Sequence, residues 1–147
     1  MKSLPADRAR RRDPVDTGVV VAMGNRRDED HKRCTELLTT TLEPLVLPEP
    51  LMVEIGYMLG SRGGAAAEAD FLRDIVDGLY VVESMILTDI ARAADLVDKY
   101  ADLPLGTADA CVVALAERLG VTRIATLDIR HFSVVLPRHA ASFTLLP

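Results

Sequence analysis

Tryptophan is absent from this sequence, and aromatic residues make up only 4% of it. A core must therefore be packed from Ala, Leu and Val, which suits helices laid on a sheet. The 49% hydrophobic content excludes a disordered chain, which combines low apolar content with high net charge. Cysteine is scarce too. Cys34 and Cys111 lie far apart, form no C-x-x-C pair and fall in helix-like stretches. That pattern predicts buried free thiols in a reducing, cytoplasmic compartment. No uncharged apolar run of about 18 residues occurs, so no membrane span is expected. The basic N-terminus lacks the apolar segment of a secretory signal. Excess positive charge is also missing. The formal charge of −5 argues against broad electrostatic adhesion to nucleic acid, though not against a metal-bridged contact at one site.

Several catalytic signatures are missing as well. There is no G-x-x-x-x-G-K-[ST] and no G-x-G-x-x-G to cradle phosphates. Nucleophilic serine chemistry lacks its G-x-S-x-G elbow. His31, His131 and His139 show no H-E-x-x-H spacing, which argues against zinc, and His131 beside Phe132 reads first as structural. An aspartyl phosphotransferase would want a second aspartate two positions after Asp16, where Gly18 stands.

The length of 147 residues is that of one domain with a real core. Residues 1–13 are polar, with Arg8, Arg10, Arg11 and Arg12, and read as a solvated, mobile basic tail ahead of a single domain over 14–147. Within that domain, segments alternate. A helix is predicted around Cys34, Leu37 and Leu38, then a short strand in "EPLVLPEP". Two helices follow in "PLMVEIGYMLGSRGG" and "AAAEADFLRDIVDG", then a strand in "LYVVESM". A helix in "LTDIARAADLVDKYADLP", ended by Pro104, precedes a helix over 106–119 closed by Gly120. A strand over 123–127, a helical turn in "RHFSVVL" and a last strand in "SFTLL" complete the chain. Strands alternating with helices predict an α/β fold with a mainly parallel sheet, and ligands in such sheets bind beyond the carboxyl ends of the strands.

Four of the 22 acidic residues sit in apolar surroundings: Asp16, Glu54, Asp109 and Asp128. Each alone has an ordinary reading. Asp16 could cap a helix, Glu54 could be its helix's solvated position, Asp109 suits the first turn of a helix, and Asp128 could close a turn. Together they are harder to dismiss. Asp16 and Asp128 end strand-like stretches, and Asp109 opens the helix leading back to the same edge. Unpaired carboxylates so gathered repel one another, and only Arg130 stands close to them in sequence. A hard divalent cation with oxygen ligands would resolve the repulsion, and such a cation suits phosphodiester hydrolysis.

The same residues carry a resemblance. Asp16 in "VDTG", Glu54 in "LMVEIGYML", Asp109 in "GTADACVVALAERLG" and Asp128 in "RIATLDIRHFSVV" resemble a PIN-domain nuclease, and within that family the VapC toxins of bacterial VapBC toxin-antitoxin pairs. The likeness spans residues 14–147 and is most specific over 105–136. It implies an α/β/α three-layer sandwich and a Mg²⁺- or Mn²⁺-dependent endonuclease for single-stranded RNA. It also implies homodimerisation and inhibition by a cognate VapB-like antitoxin. By position, Asp16, Glu54, Asp109 and Asp128 would be the catalytic, metal-binding acids, with Thr17 a supporting hydroxyl. The antitoxin is expected to lie along an apolar face of helix 50–62 that includes Leu51, Ile55 and Met58, delivering a basic side chain to the acids. The rival reading is a catalytically silent PIN-fold binding module that engages an antitoxin-like partner. One departure stands out. Only Pro14 and Val15 precede Asp16 where the family brings a longer apolar strand, and the β-branched run at 19–23 would by pattern alone be a strand. The resemblance makes 19–23 a helix and the first strand short.

Overall fold

The computed structural model describes residues 12–147. The expectation of a mobile basic tail therefore lies, apart from Arg12 and Asp13, outside the described residues. The elements run α1 (Thr17–Met23), α2 (His31–Thr40), β1 (Leu45–Pro48), α3 (Glu49–Val76), β2 (Tyr80–Glu83), α4 (Leu87–Lys99), α5 (Thr107–Leu119), β3 (Arg123–Ala125), α6 (Ile129–Val134) and β4 (Thr144–Leu146). No described helix is long and apolar enough to cross a membrane.

The sheet is built around two residues. β1 pairs parallel with β2 and β3 parallel with β4, while Pro14 bridges to Val46 and Val15 to Ala125, both in parallel. Val15 N donates to Val46 O at 2.9 Å and Asp16 N to Ala125 O at 2.8 Å, so the 14–15 segment is the central rung joining the two halves. Pro14 is tolerated because it opens the strand, and its carbonyl accepts from Ala125 N at 2.9 Å. Asp13, grouped with the tail by sequence, is 4% exposed, its carboxylate accepting from Arg123 Nη2 at 2.6 Å.

The spatial order β2–β1–(14–15)–β3–β4 reverses direction at the central segment. From 14–15 the chain steps outward through β1 to β2, then crosses back to β3 and on to β4. Right-handed crossovers, the rule for such connections, would set the helices before β2 and those after it on opposite faces, in an α/β architecture as expected. α1 contacts α2 and α3, α4 contacts α5, and α3 also meets α5. Ion pairs Arg118–Asp89 (2.9 Å) and Arg92–Glu117 (2.7 Å) bind α4 to α5.

Local outcomes follow from local chemistry. Residues 19–22 are buried on all sides and form a helix, not a strand, because Asp16 caps it, its carboxylate accepting from Thr17 N at 2.9 Å. α3 is two arms joined at Gly64, whose φ of 76° only glycine adopts readily, in line with the glycine stop expected there. α5 ends at Gly120 in the left-handed conformation. α4 stops at Lys99, short of Pro104. Cys34 and Cys111 are free and buried.

Candidate metal centre

The reversal of strand order falls between the 14–15 segment and β3. Main chain leaving both strands diverges there, opening a crevice at their carboxyl ends. Asp16 follows the first strand and Thr126 and Asp128 follow the second. Glu54 comes from the start of α3 and Asp109 from the first turn of α5. All four predicted acids meet at this one edge.

Asp16 is the most enclosed, at 6% exposure. One carboxylate oxygen accepts from Thr17 N, and the other accepts from Thr126 Oγ1 at 2.9 Å. Burial raises its pKa; the Thr126 and Thr17 bonds oppose that, while the charges of Asp128 and Glu54 add to it. Asp109 is pushed up to about 6, first by burial and then by the charges of Asp16 and Asp128, with His131 pulling the other way. After burial, the charges of neighbouring acids thus raise the pKa at two of the four. Glu54 is exposed and accepts from Thr17 Oγ1 at 3.3 Å, so Thr17 ties it to the Asp16 corner.

Asp128 is held from two directions. Its N–H donates to Thr126 Oγ1 at 2.9 Å, and one carboxylate oxygen accepts from His131 N at 3.0 Å, capping α6. The other oxygen makes a short contact with His131 Nδ1. His131 Nε2 faces the carbonyl of Leu103 at 3.0 Å. With an acceptor facing each ring nitrogen, the ring can donate from both when it is protonated. Its pKa is accordingly raised, chiefly by the bond to Asp128.

Oxygens of Asp109 and Asp128 and a ring nitrogen of His131 lie within 4.8 Å of one another. Three ligand atoms at that spacing could surround one ion, but both ring nitrogens of His131 already face acceptors, Asp128 and the Leu103 carbonyl. The donor set is therefore oxygen: carboxylates of Asp16, Asp109, Asp128 and Glu54. Among the described residues, no Lys or Arg forms an ion pair with any of the four, and His131 is their one cationic contact. Clustered carboxylates, with Asp16 and Asp109 raised in pKa and none paired with Lys or Arg among the described residues, suit a hard divalent cation such as Mg²⁺ or Mn²⁺. The residues fit the ion.

Sequence reasoning overlooked Thr126 and set His131 aside as structural. The signal was present: T-x-D and D-x-x-H in "TLDIRH" put the hydroxyl and the ring at spacings that reach one carboxylate. It misplaced the apolar face of α3. Leu51 and Ile55 are core, at 1% and 0% exposure, and Met58 is partly buried, because the helix turns those positions toward the sheet. Val53 and Tyr57 flank Glu54 and are three-quarters exposed.

The model of the PIN domain matches residues 15–135. The chain is 33% identical over 133 residues to Ribonuclease VapC26 of Mycobacterium tuberculosis, covering 90% of this chain and 98% of that relative. Its fold is similar to the crystal structure of Mycobacterium tuberculosis VapC20, a toxin that cleaves the sarcin-ricin loop. That likeness has a TM-score of 0.70 at 19% identity and spans 75% of this chain and 85% of the other.

Proposed function

From the premise that this chain belongs to the PIN-domain family and to its VapC ribonucleases, we propose that it is a Mg²⁺- or Mn²⁺-dependent endoribonuclease toxin cutting single-stranded or loop RNA. The observation that carries the reading is the convergence of Asp16, Glu54, Asp109 and Asp128 at the strand-order reversal, none of them paired with Lys or Arg among the described residues. Asp16, Asp109 and Asp128 would hold the ion directly, with Glu54 at the open side.

A bound divalent ion supplies a water of lowered pKa and neutralises charge at the phosphate. The protein supplies placement. Thr126 and Thr17 leave the Asp16 carboxylate one orientation, and His131 does the same for Asp128. Asp109, its pKa pushed up to about 6 chiefly by burial, would have to be ionised to serve as a ligand. His131, in contact with Asp109 and Asp128, would balance part of the acidic charge when protonated.

In the cell the activity would be cytoplasmic and would need restraint. We propose a cognate VapB-like antitoxin that delivers a basic side chain to the four acids; arginine can bridge two carboxylates at once. A homodimer is proposed from the family likeness. The exposed pair Val53 and Tyr57 on α3 offers apolar anchorage in place of Leu51 and Ile55.

The test is incubation of purified protein with total RNA, mapping the cut ends by sequencing with and without a chelator. Discrete ends that vanish on chelation and with Asp16→Asn support the reading. A folded protein that binds an antitoxin-like partner yet cuts no RNA in Mn²⁺ would be the silent binding module instead.

A further inference from the structure

Arg130 lies two positions after Asp128, in the first turn of α6, and forms no ion pair with the described residues. Arg33, Arg73, Arg92, Arg118, Arg123 and Arg138 all close ion pairs. Arg130, like Arg26, Arg27 and Arg62, closes none with the described residues, and it alone of these has Asp128 two positions away. The reason is local. Both Asp128 oxygens are committed to His131, one to its backbone N–H and one to its ring. The guanidinium of Arg130 is left exposed.

Its backbone is fixed all the same. Asp128 N is bonded to Thr126 Oγ1 and His131 N to Asp128, so Arg130 lies in the tightly held first turn of α6. Ile129, beside it, is 63% exposed. The backbone of this turn is therefore held beside Asp128, and it carries two neighbouring exposed side chains, one apolar and one cationic.

Charge makes such a group necessary. The chain carries a formal −5, and its crevice gathers four carboxylates whose one cationic contact among the described residues is His131, so a polyanion is repelled on approach. A bound metal answers for the phosphate being cut and leaves its neighbours unanswered. An exposed arginine matches a phosphate through two parallel hydrogen bonds.

We propose that Arg130 is a substrate-positioning residue that grips a phosphate flanking the scissile one in single-stranded RNA. The inference rests on the ribonuclease reading above and goes beyond it by assigning where the strand is held.

The test compares wild type, Arg130→Gln and Arg130→Lys on a labelled single-stranded oligoribonucleotide, with Asp109→Asn as background for binding without cleavage. Arg130→Gln should raise KM about tenfold with kcat within about twofold of wild type. The salt dependence of binding should flatten by about 0.7 in log–log slope, the loss of one phosphate contact. Arg130→Lys should restore most of both, and melting temperatures should match. Wild-type KM and slope in Arg130→Gln overturn the inference while leaving the ribonuclease reading intact. So does a fall in kcat at unchanged KM, or a defect confined to antitoxin binding. A wild-type protein that neither binds nor cuts RNA overturns the ribonuclease reading, and this inference with it.

Discussion

Thr126 and Asp16 stand on adjacent strands 110 positions apart in sequence, and a single hydroxyl joins them: Thr126 Oγ1 donates to Asp16 Oδ2 at 2.9 Å while accepting from Asp128 N at 2.9 Å. The hydroxyl's one proton and a lone pair are thus both assigned, one to each of two candidate ligands. Thr126→Val keeps the shape and removes both bonds. It should lower kcat about tenfold or more, since a hydrogen bond to a carboxylate is worth about 1.5–3 kcal/mol, and cost about 1 kcal/mol of stability through the orphaned N–H. Thr126→Ser should retain most activity. Cleavage rates and chemical denaturation of the two variants check this.

Asp109 carries a pH signature. Its pKa is raised from 3.8 to about 6, so the folded protein holds that proton more tightly than the unfolded chain does. The ionised residue therefore costs stability above about pH 6, and the cost fades as pH falls toward 4. In metal-free protein, the stability difference between Asp109→Asn and wild type should favour the variant most at pH 7 and shrink below pH 5. The raised pKa of His131 adds a term of the same direction, present below 6.5 and lost as pH rises through the folded value. Denaturant titrations of both proteins at several pH values measure the difference. A gap that widens toward acid would show that burial does not raise Asp109.

Asp13 anchors the central strand from outside the site. Its carboxylate is 6% exposed and pairs with Arg123, whose side chain keeps 32% exposure, so the pair is only partly desolvated. Asp13→Ala should cost about 2 kcal/mol and lower Tm by about 4–8 °C. Cleavage per folded molecule should be unchanged, because Asp13 and Arg123 lie at the strand entry and the acids at the exit. Calorimetry with an activity assay separates the two effects.

Which of these relationships could be read beforehand depended on how local they are. Asp16, Glu54, Asp109 and Asp128 were legible because carboxylates in apolar runs are anomalous wherever they fall. Gly64 and Gly120 were legible because turns of that geometry need glycine. Residues 19–22 were not legible from pattern, since a segment buried all round has no period to reveal, and the capping by Asp16 decides it. Strands of three or four residues, one of them only Pro14 and Val15, carry little sequence signal. Thr126 and His131 escaped for a different reason. A threonine after a strand and a histidine beside an aromatic have many structural roles, and only the meeting of three elements gives them another. The apolar face of α3 was misassigned because sequence periodicity tells which residues share a side, not which side faces the sheet.

The central claim is that four convergent carboxylates hold a divalent cation and that the held cation cuts RNA. Measuring Mn²⁺ binding and RNA cleavage on the same preparations of wild type, Asp16→Asn and Asp109→Asn tests it most directly. The account predicts that wild type binds Mn²⁺ and cleaves, and that each variant loses both, cleavage by about a hundredfold or more, while melting at or above the wild-type temperature through relief of repulsion. A folded Asp16→Asn or Asp109→Asn protein that no longer binds Mn²⁺ yet cuts RNA at the wild-type rate would contradict it.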